Sequence, residues 1–217
     1  MTAPFRVLMV CTGNICRSPL AERMLAHDLD LRSATWGPAW RNGAAIVVSS
    51  AGTAAELGQP MTAQTARLAD EYGADPAGHV ARQLTADMVA GSDLVLTLTR
   101  DHRRQVVSLH PRATRYTFAL TEFARVLQHL STDDAEGRDA LGPLDRAQSP
   151  SELLPPLVEQ LSLRRGLAPP PDDPSVDDVV DPYRRSDEVY ASTGRHIADS
   201  LTTALQALDR LLGCPAC

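Results

Sequence analysis

Val10-Cys11-Thr12-Gly13-Asn14-Ile15-Cys16-Arg17-Ser18-Pro19-Leu20 sets a cysteine and an arginine around five residues, and the sequence on either side decides the fold. Ahead of it, Phe5-Arg6-Val7-Leu8-Met9-Val10 is short and β-rich, the pattern of a buried strand in a parallel sheet. Behind it, Leu20, Met24 and Leu25 follow helical spacing, with Ala21, Glu22 and Arg23 between them. Pro19 suits a first helical turn, where a missing N–H costs nothing. The stretch is therefore a loop from strand to helix, with Cys11 at the carboxyl end of the strand.

Such a loop has a specific chemistry. Successive N–H groups, together with the partial positive charge of a helix N-terminus, bind a phosphate-sized dianion without a metal. The candidate phosphate-binding positions are Thr12, Gly13, Asn14, Ile15, Cys16 and Ser18. Gly13 permits a positive φ or a close backbone approach, and Asn14 can take a left-handed conformation while its amide ties the loop together. Arg17 adds a planar fork for two equatorial oxygens. The same field favours the thiolate of Cys11, which then points at phosphorus as a nucleophile. The bland alternative is an inert cysteine buried at a strand end and a solvated arginine at a helix start.

A second signal lies far downstream, at Val179-Val180-Asp181-Pro182-Tyr183. Release of a phenolate needs a proton, which a carboxyl group on a loop over the cradle can supply, so Asp181 is the candidate acid. Pro182 stiffens that loop, and Tyr183 offers a wall for an aromatic substrate. Asp-Pro is in itself a turn signal, and Asp75-Pro76 and Asp173-Pro174 repeat it. Spacing alone does not choose among the three.

With these residues in hand, the chain resembles the low-molecular-weight protein tyrosine phosphatases. The matching pieces come in the family's order: Val10 to Glu22, Val48-Ser49-Ser50-Ala51-Gly52-Thr53, His79-Val80-Ala81-Arg82-Gln83, Ser92 to Thr99, and Asp181-Pro182-Tyr183. The resemblance implies a four-stranded parallel sheet flanked by helices, no metal or other cofactor, and a cysteinyl-phosphate intermediate. By matching position it makes Cys11 the nucleophile, Arg17 the transition-state clamp, and Asp181 the general acid and later the base. It also suggests that the Ser18 hydroxyl stabilises the thiolate while Asn14 and Ser50 hold the loop rigid. Three departures stand out. Thr53-Ala54-Ala55-Glu56-Leu57-Gly58 lacks the aromatic that many relatives carry after the second strand, Thr99-Arg100 replaces an acidic residue, and an insertion runs from about Leu127 to Asp177.

Composition agrees with one α/β domain over residues 1–217 carrying that insertion. With 217 residues and 43% hydrophobic content, the chain can bury a sizeable core. A net charge of −6 gives no sign of nucleic-acid affinity, and no apolar stretch is long enough to cross a bilayer. Met1-Thr2-Ala3-Pro4 leads into the first strand without a signal peptide, so the expectation is a cytoplasmic protein. Four cysteines, two of them in one loop, do not make a secreted disulfide framework. Cys16 can trap an oxidised Cys11 as a disulfide, or it simply fills space in the loop.

The middle of the chain alternates strands and helices, which implies a parallel sheet with its ligand crevice at the strand carboxyl ends. Ala63 to Tyr72 reads as a helix ended by Gly73, with Ala66, Leu68, Ala69 and Tyr72 available for burial. Asp93 to Leu98 is a strand, Asp101 to Leu109 a helix stopped by Pro111, Tyr116 to Phe118 a short strand, and Thr121 to Leu127 the start of another helix. Ser186 can cap a last helix with Asp187 and Glu188 in its first turn and an apolar stripe of Val189, Ile197, Leu201, Leu205, Leu208 and Leu212. His79 reads as a packing or hydrogen-bonding histidine, and His102, His110, His129 and His196 lack ligand spacing. Within the insertion, Ser149 to Leu163 is helical in pattern with Leu153, Leu154, Leu157 and Leu161 on one face despite Pro155-Pro156, and Gly166 to Asp178 reads as an extended, mobile linker. A surface excursion is the expectation for this segment.

The expected function is hydrolysis of a phosphomonoester, with protein phosphotyrosine or a small aryl phosphate as substrate. An arsenate reductase of the related fold is the alternative, for which only Cys214 and Cys217 could relay electrons; a non-catalytic phosphate-binding module is the second. Oligomeric state is left open.

Overall fold

The computed structural model describes residues 3–36, 46–132 and 150–212. The readings placed on residues 133–149, including the helix start at Ser149, and on Cys214 and Cys217 lie outside the described residues.

Four parallel strands run in the order β2-β1-β3-β4: β1 Phe5–Cys11, β2 Ile46–Gly52, β3 Leu94–Thr97 and β4 Thr117–Ala119. The alternation of β1 decides where it sits. Phe5, Val7, Met9 and Cys11 join the larger apolar core on one face, while Leu8 and Val10 join a smaller core on the other. A strand buried on both faces belongs at the centre of a helix-covered parallel sheet. The register pairs Cys11 with Gly52 and Val10 with Thr97, so the carboxyl ends of β1, β2 and β3 finish together.

Seven α-helices are described: α1 Arg17–Trp36, α2 Ala63–Glu71, α3 Ala86–Ala90, α4 Arg100–Leu109, α5 Leu120–Thr132, α6 Pro150–Arg164 and α7 Asp187–Leu211. Threonines cap three of them: Thr62, Thr85 and Thr99 each accept an N–H from the first turn of α2, α3 and α4. Pro111 opens a short 3-10 helix after α4. On α2 the buried residues are Thr65, Leu68 and Ala69, while Ala66 and Tyr72 are half-buried. Ser186 occupies the cap position of α7 without a side-chain bond to a helical N–H, and Asp187 and Glu188 fill the first turn as expected. Val189, at the start of the expected stripe, is only half-buried, and Tyr190 beside it is buried.

The segment from about Leu127 to Asp177 differs from the expected surface excursion at its helices, while most of residues 166–176 do lie exposed. Its first residues are the end of α5, with Leu127 and Leu130 in the core. Helix α6 follows with Leu153, Leu154, Leu157, Val158 and Leu161 buried in the same core. That i, i+1, i+4, i+5, i+8 stripe explains why the helix survives Pro155 and Pro156. Each buried aliphatic side chain contributes about 1.5–3 kcal/mol, which offsets the roughly 3 kcal/mol cost of an interior proline. Residues 166–178 are likewise tied down. Ala168 and Asp177 are buried, a 3-10 turn spans Pro174–Asp177, and Arg125 of α5 holds the Asp177 carboxylate through two bonds of 2.5 and 3.1 Å. Composition alone suggested a linker because the partners of these carboxylates lie some 50 to 80 residues away in sequence.

Leu161 is fully buried, so Leu161→Ala should cost about 2–5 kcal/mol in a urea denaturation series if α6 belongs to the cooperative core. A change below about 0.5 kcal/mol, the usual range for a surface position, would show that α6 unfolds separately.

Candidate active site

The loop between β1 and α1 is held from outside by its own carbonyls. Cys11 O accepts from Thr53 N (2.9 Å), Thr12 O from Ala54 N (3.0 Å), Gly13 O from Glu56 N (3.0 Å), Ile15 O from Thr62 N (3.0 Å) and Cys16 O from Leu20 N (3.2 Å). Asn14 O lies 2.7 Å from His79 Nε2. With six consecutive carbonyls engaged on the outside, the N–H groups are left for the interior of the loop. No hydrogen bond among the described residues takes the N–H groups of residues 12–16. An arc of such donors at a helix N-terminus is an anion cradle.

Asn14 is the hinge of this curvature. Its φ is 55°, the left-handed region in which asparagine is tolerated, whereas Gly13 is not among the positive-φ residues. Of the two residues that could take this conformation, Asn14 does, stabilised by its own side chain as expected, and the freedom of Gly13 is not used. Asn14 Nδ2 donates to Ser18 Oγ (2.9 Å) and Ser50 Oγ (2.8 Å), and Asn14 Oδ1 accepts from Arg82 N (3.0 Å). Ser18 Oγ also lies 2.9 Å from Cys11 Sγ. Because Ser18 Oγ already accepts from Asn14, its own proton is free to point at the sulfur. Gly52 is the glycine that close approach requires. A Cβ there would lie 2.3 Å from Thr12 O, so a side chain at this position would expel the loop.

Arg17 is 5% exposed and reaches two partners: Nη1 donates to Val179 O at 3.1 Å, and Nη2 pairs with the Asp181 carboxylate at 2.8 Å. Its Nε is buried with no hydrogen-bond partner. Asp181 is half-exposed and also accepts the N–H of Tyr183 (3.2 Å). Of the three Asp-Pro turns, this one sits over the loop because its flanks are fastened. Val179 N bonds Leu98 O (2.8 Å), Asp178 holds Arg100 at the start of α4 through three bonds, and Thr193 of α7 donates to Val180 O (3.1 Å). Of the three carboxylates in this segment, Asp177 and Asp178 pair with Arg125 and Arg100 away from the pocket lining, and Asp181, paired with Arg17, lines it. Arg100, at a position marked above as a departure, is what anchors Asp178.

Together these residues enclose a cavity of about 100 Å³, with Cys11, Arg17 and Asp181 in its lining, Tyr183 on one side, and Ala54 and Glu56 on another. The wall after β2 is thus small and acidic, as its sequence indicated. Cys16 is buried, with its Sγ 3.6 Å from Tyr190 Oη and 3.8 Å from Thr62 Oγ1; burial raises its thiol above the ordinary range. His79 is buried against Asn14 O and serves the loop by hydrogen bonding. His102 was missed. It is buried beside the loop, with Nε2 2.9 Å from Thr12 Oγ1 and Nδ1 2.8 Å from Thr99 Oγ1. The signal that would have found it is the Thr99-Arg100-Asp101-His102 helix start, which sits directly after a strand carboxyl end. No cluster of three or more potential metal ligands occurs among the described residues.

The profile of the family described as low molecular weight phosphotyrosine protein phosphatase matches residues 6–140, and the chain belongs to that family. A low molecular weight protein-tyrosine-phosphatase, Etp of Escherichia coli, is 36% identical over 105 residues, which cover 48% of this chain and 62% of Etp. The aligned stretch therefore spans less than two thirds of that relative. A protein-arginine-phosphatase of Geobacillus stearothermophilus is 28% identical over 160 residues, covering 73% of this chain and 95% of that one. Among solved structures, the low molecular weight protein tyrosine phosphatase from T. tengcongensis superposes with a TM-score of 0.61 at 25% identity, covering 93% of this chain and 98% of its own. The Erwinia amylovora tyrosine phosphatase amsI gives 0.59 at 22% identity, covering 95% and 94%, and shares the fold.

Burial, with Arg17 as a second cause, pushes the pKa of His102 from 6.5 down to about 4. The unfolded chain therefore binds more protons than the native one between these values. The stability contributed by keeping His102 neutral is intact above about pH 6.5 and is lost as pH falls through about 4, on the order of 3 kcal/mol in all. Denaturation midpoints measured from pH 7 to 4 should fall less steeply in His102→Gln than in the wild type; parallel curves would contradict this.

Proposed function

We propose that this protein is a cysteine-dependent phosphomonoesterase acting on protein phosphotyrosine. The observation that carries the reading is the run of N–H groups in residues 12–16 that no hydrogen bond takes, together with the unpartnered Nε of Arg17, in a pocket lined by Cys11. Donors aimed at one point from backbone and guanidinium stabilise the extra negative charge of a trigonal-bipyramidal phosphoryl group.

In this reading the phosphoryl dianion sits on the loop and takes over the Arg17 fork. Cys11 Sγ attacks phosphorus opposite the phenolic oxygen, with Ser18 donating to the thiolate before attack. The P–O bond to the phenol breaks as the S–P bond forms, and Asp181 passes its proton to the departing oxygen. Asp181 then takes a proton from water, which attacks phosphorus and breaks the S–P bond to release inorganic phosphate. The Arg17–Asp181 contact fits this order. An incoming dianion competes with the carboxylate for the same guanidinium and leaves Asp181 to the leaving group. Tyr183, 40% exposed, supplies an aromatic wall for the substrate ring, and the loop stays rigid through Asn14 and Ser50. The expected compartment is the cytoplasm, where a catalytic thiol stays reduced. No helix among the described residues is long and apolar enough to cross a membrane.

Steady-state assays with a phosphotyrosine peptide, a phosphoarginine peptide, phenyl phosphate and arsenate with thioredoxin test the reading. Turnover of the tyrosine ester is expected to dominate. Phosphate binding without turnover of any ester would replace it with a non-catalytic module.

Cys11→Ser should abolish turnover while phosphate still binds, because the N–H arc and Arg17 remain. Arg17→Lys should lose at least about 100-fold in kcat, since a point charge replaces a planar fork. Residual turnover in pure Cys11→Ser protein would refute the covalent route. Asp181→Asn should slow phenyl phosphate by about 100-fold or more and a nitrophenyl ester much less, because an activated phenolate leaves without a proton. Equal slowing of both esters would assign Asp181 to loop positioning alone.

A further inference from the structure

The Thr12 side chain is the unexplained part of the loop. Thr12 is exposed and lines the cavity next to Cys11, yet its hydroxyl is tied to a buried histidine from another element. Thr99 Oγ1 accepts the backbone N–H of His102 at 3.1 Å as the cap of α4, and the same oxygen lies 2.8 Å from His102 Nδ1. His102 Nε2 lies 2.9 Å from Thr12 Oγ1, and His102 is 3% exposed.

The proton count gives this chain a direction. With its pKa pushed down to about 4, the ring is neutral near pH 7 and carries one proton. Thr99 Oγ1 accepts the His102 backbone N–H and has no acceptor other than Nδ1 for its own proton among the described residues, so that proton goes to Nδ1. The ring proton then sits on Nε2 and is donated to Thr12 Oγ1. That leaves the Thr12 proton free on the cavity side.

We propose that Thr99, His102 and Thr12 form an oriented hydrogen-bond chain that ends in an added donor, the Thr12 hydroxyl, directed at a phosphoryl oxygen of the substrate. Thr12 is then a catalytic residue by contact, and His102 and Thr99 are positioning residues that act through it. The proposal rests on the phosphatase reading for its substrate. Its geometry also joins two strand ends: Thr12 follows β1, and Thr99 and His102 follow β3. The chain therefore fixes the loop relative to α4 as well as orienting the hydroxyl.

The test is a double-mutant cycle on the full-length protein, read both as kcat/KM for an aryl phosphate and as calorimetric affinity for inorganic phosphate. Thr12→Val should lower each about tenfold, the fold-change equivalent to one hydrogen bond to a charged group. Thr12→Ser should restore most of the loss. His102→Ala should give a similar loss in the wild-type background and no further loss on top of Thr12→Val. Where His102→Ala does not fold, Thr99→Val takes its place in the same cycle, with the folded fraction checked by circular dichroism. Wild-type affinity and kcat/KM in Thr12→Val, or losses that multiply in the double variant, would overturn the proposal. An inactive wild type would instead overturn the phosphatase reading, and the phosphate-affinity arm would still decide whether the chain orients Thr12.

Discussion

Six carbonyls bonded outward from Cys11 to Cys16 are the constraint on which the rest of this structure depends. A seven-residue arc can present its N–H groups inward only if its oxygens are satisfied elsewhere. A buried carbonyl without a partner costs about as much as a lost hydrogen bond, and six of them could not be tolerated. The partners come from the segment after β2, from α1 itself, and from His79. Gly52 matters for the same reason, since its missing side chain lets the β2 exit approach within bonding distance of the loop.

The sheet positions these partners. β1 is central and parallel to both neighbours, so its carboxyl end is flanked by the ends of β2 and β3. Ser50 and Gly52 reach the loop from one side, and Thr99 and His102 from the other. The Asp181 loop is carried on a strap whose carboxylates are each matched with an arginine: Asp177 with Arg125, Asp178 with Arg100, and Asp181 with Arg17. Pairs of this kind contribute modestly to stability when exposed. Their value here is in placement, because each fixes one residue of the strap to a different helix.

Electrostatics follow from that placement. The protein carries a net charge of −6, yet the pocket combines inward N–H groups, the N-terminus of α1 and the Arg17 guanidinium. At physiological ionic strength, charges farther than about 8 Å are largely screened, so the local donors set the potential an anion meets. The same local field helps keep His102 neutral, since Arg17 opposes a second positive charge beside the loop.

The sequence by itself determined the strand-loop-helix unit, the parallel order of alternating elements and the placing of Cys11 and Arg17 at the two ends of one loop. All of these rest on short-range periodicity and on five intervening residues. It singled out Asn14 from loop chemistry, but Ser18, Ser50 and the choice of Asp181 came through the likeness of ordered motifs to a family, since one Asp-Pro turn looks like another in isolation. Only the tertiary structure decided which of those turns overhangs the cradle, because the choice depends on ion pairs to Arg100 and Arg125 that span 78 and 52 residues. It alone moved α6 from the surface to the core, where an aliphatic stripe outweighs two prolines. It alone joined His102 to Thr12 across 90 residues. Local pattern encodes the elements and the reactive loop; the partners that hold them meet only when the sheet brings the strand ends together.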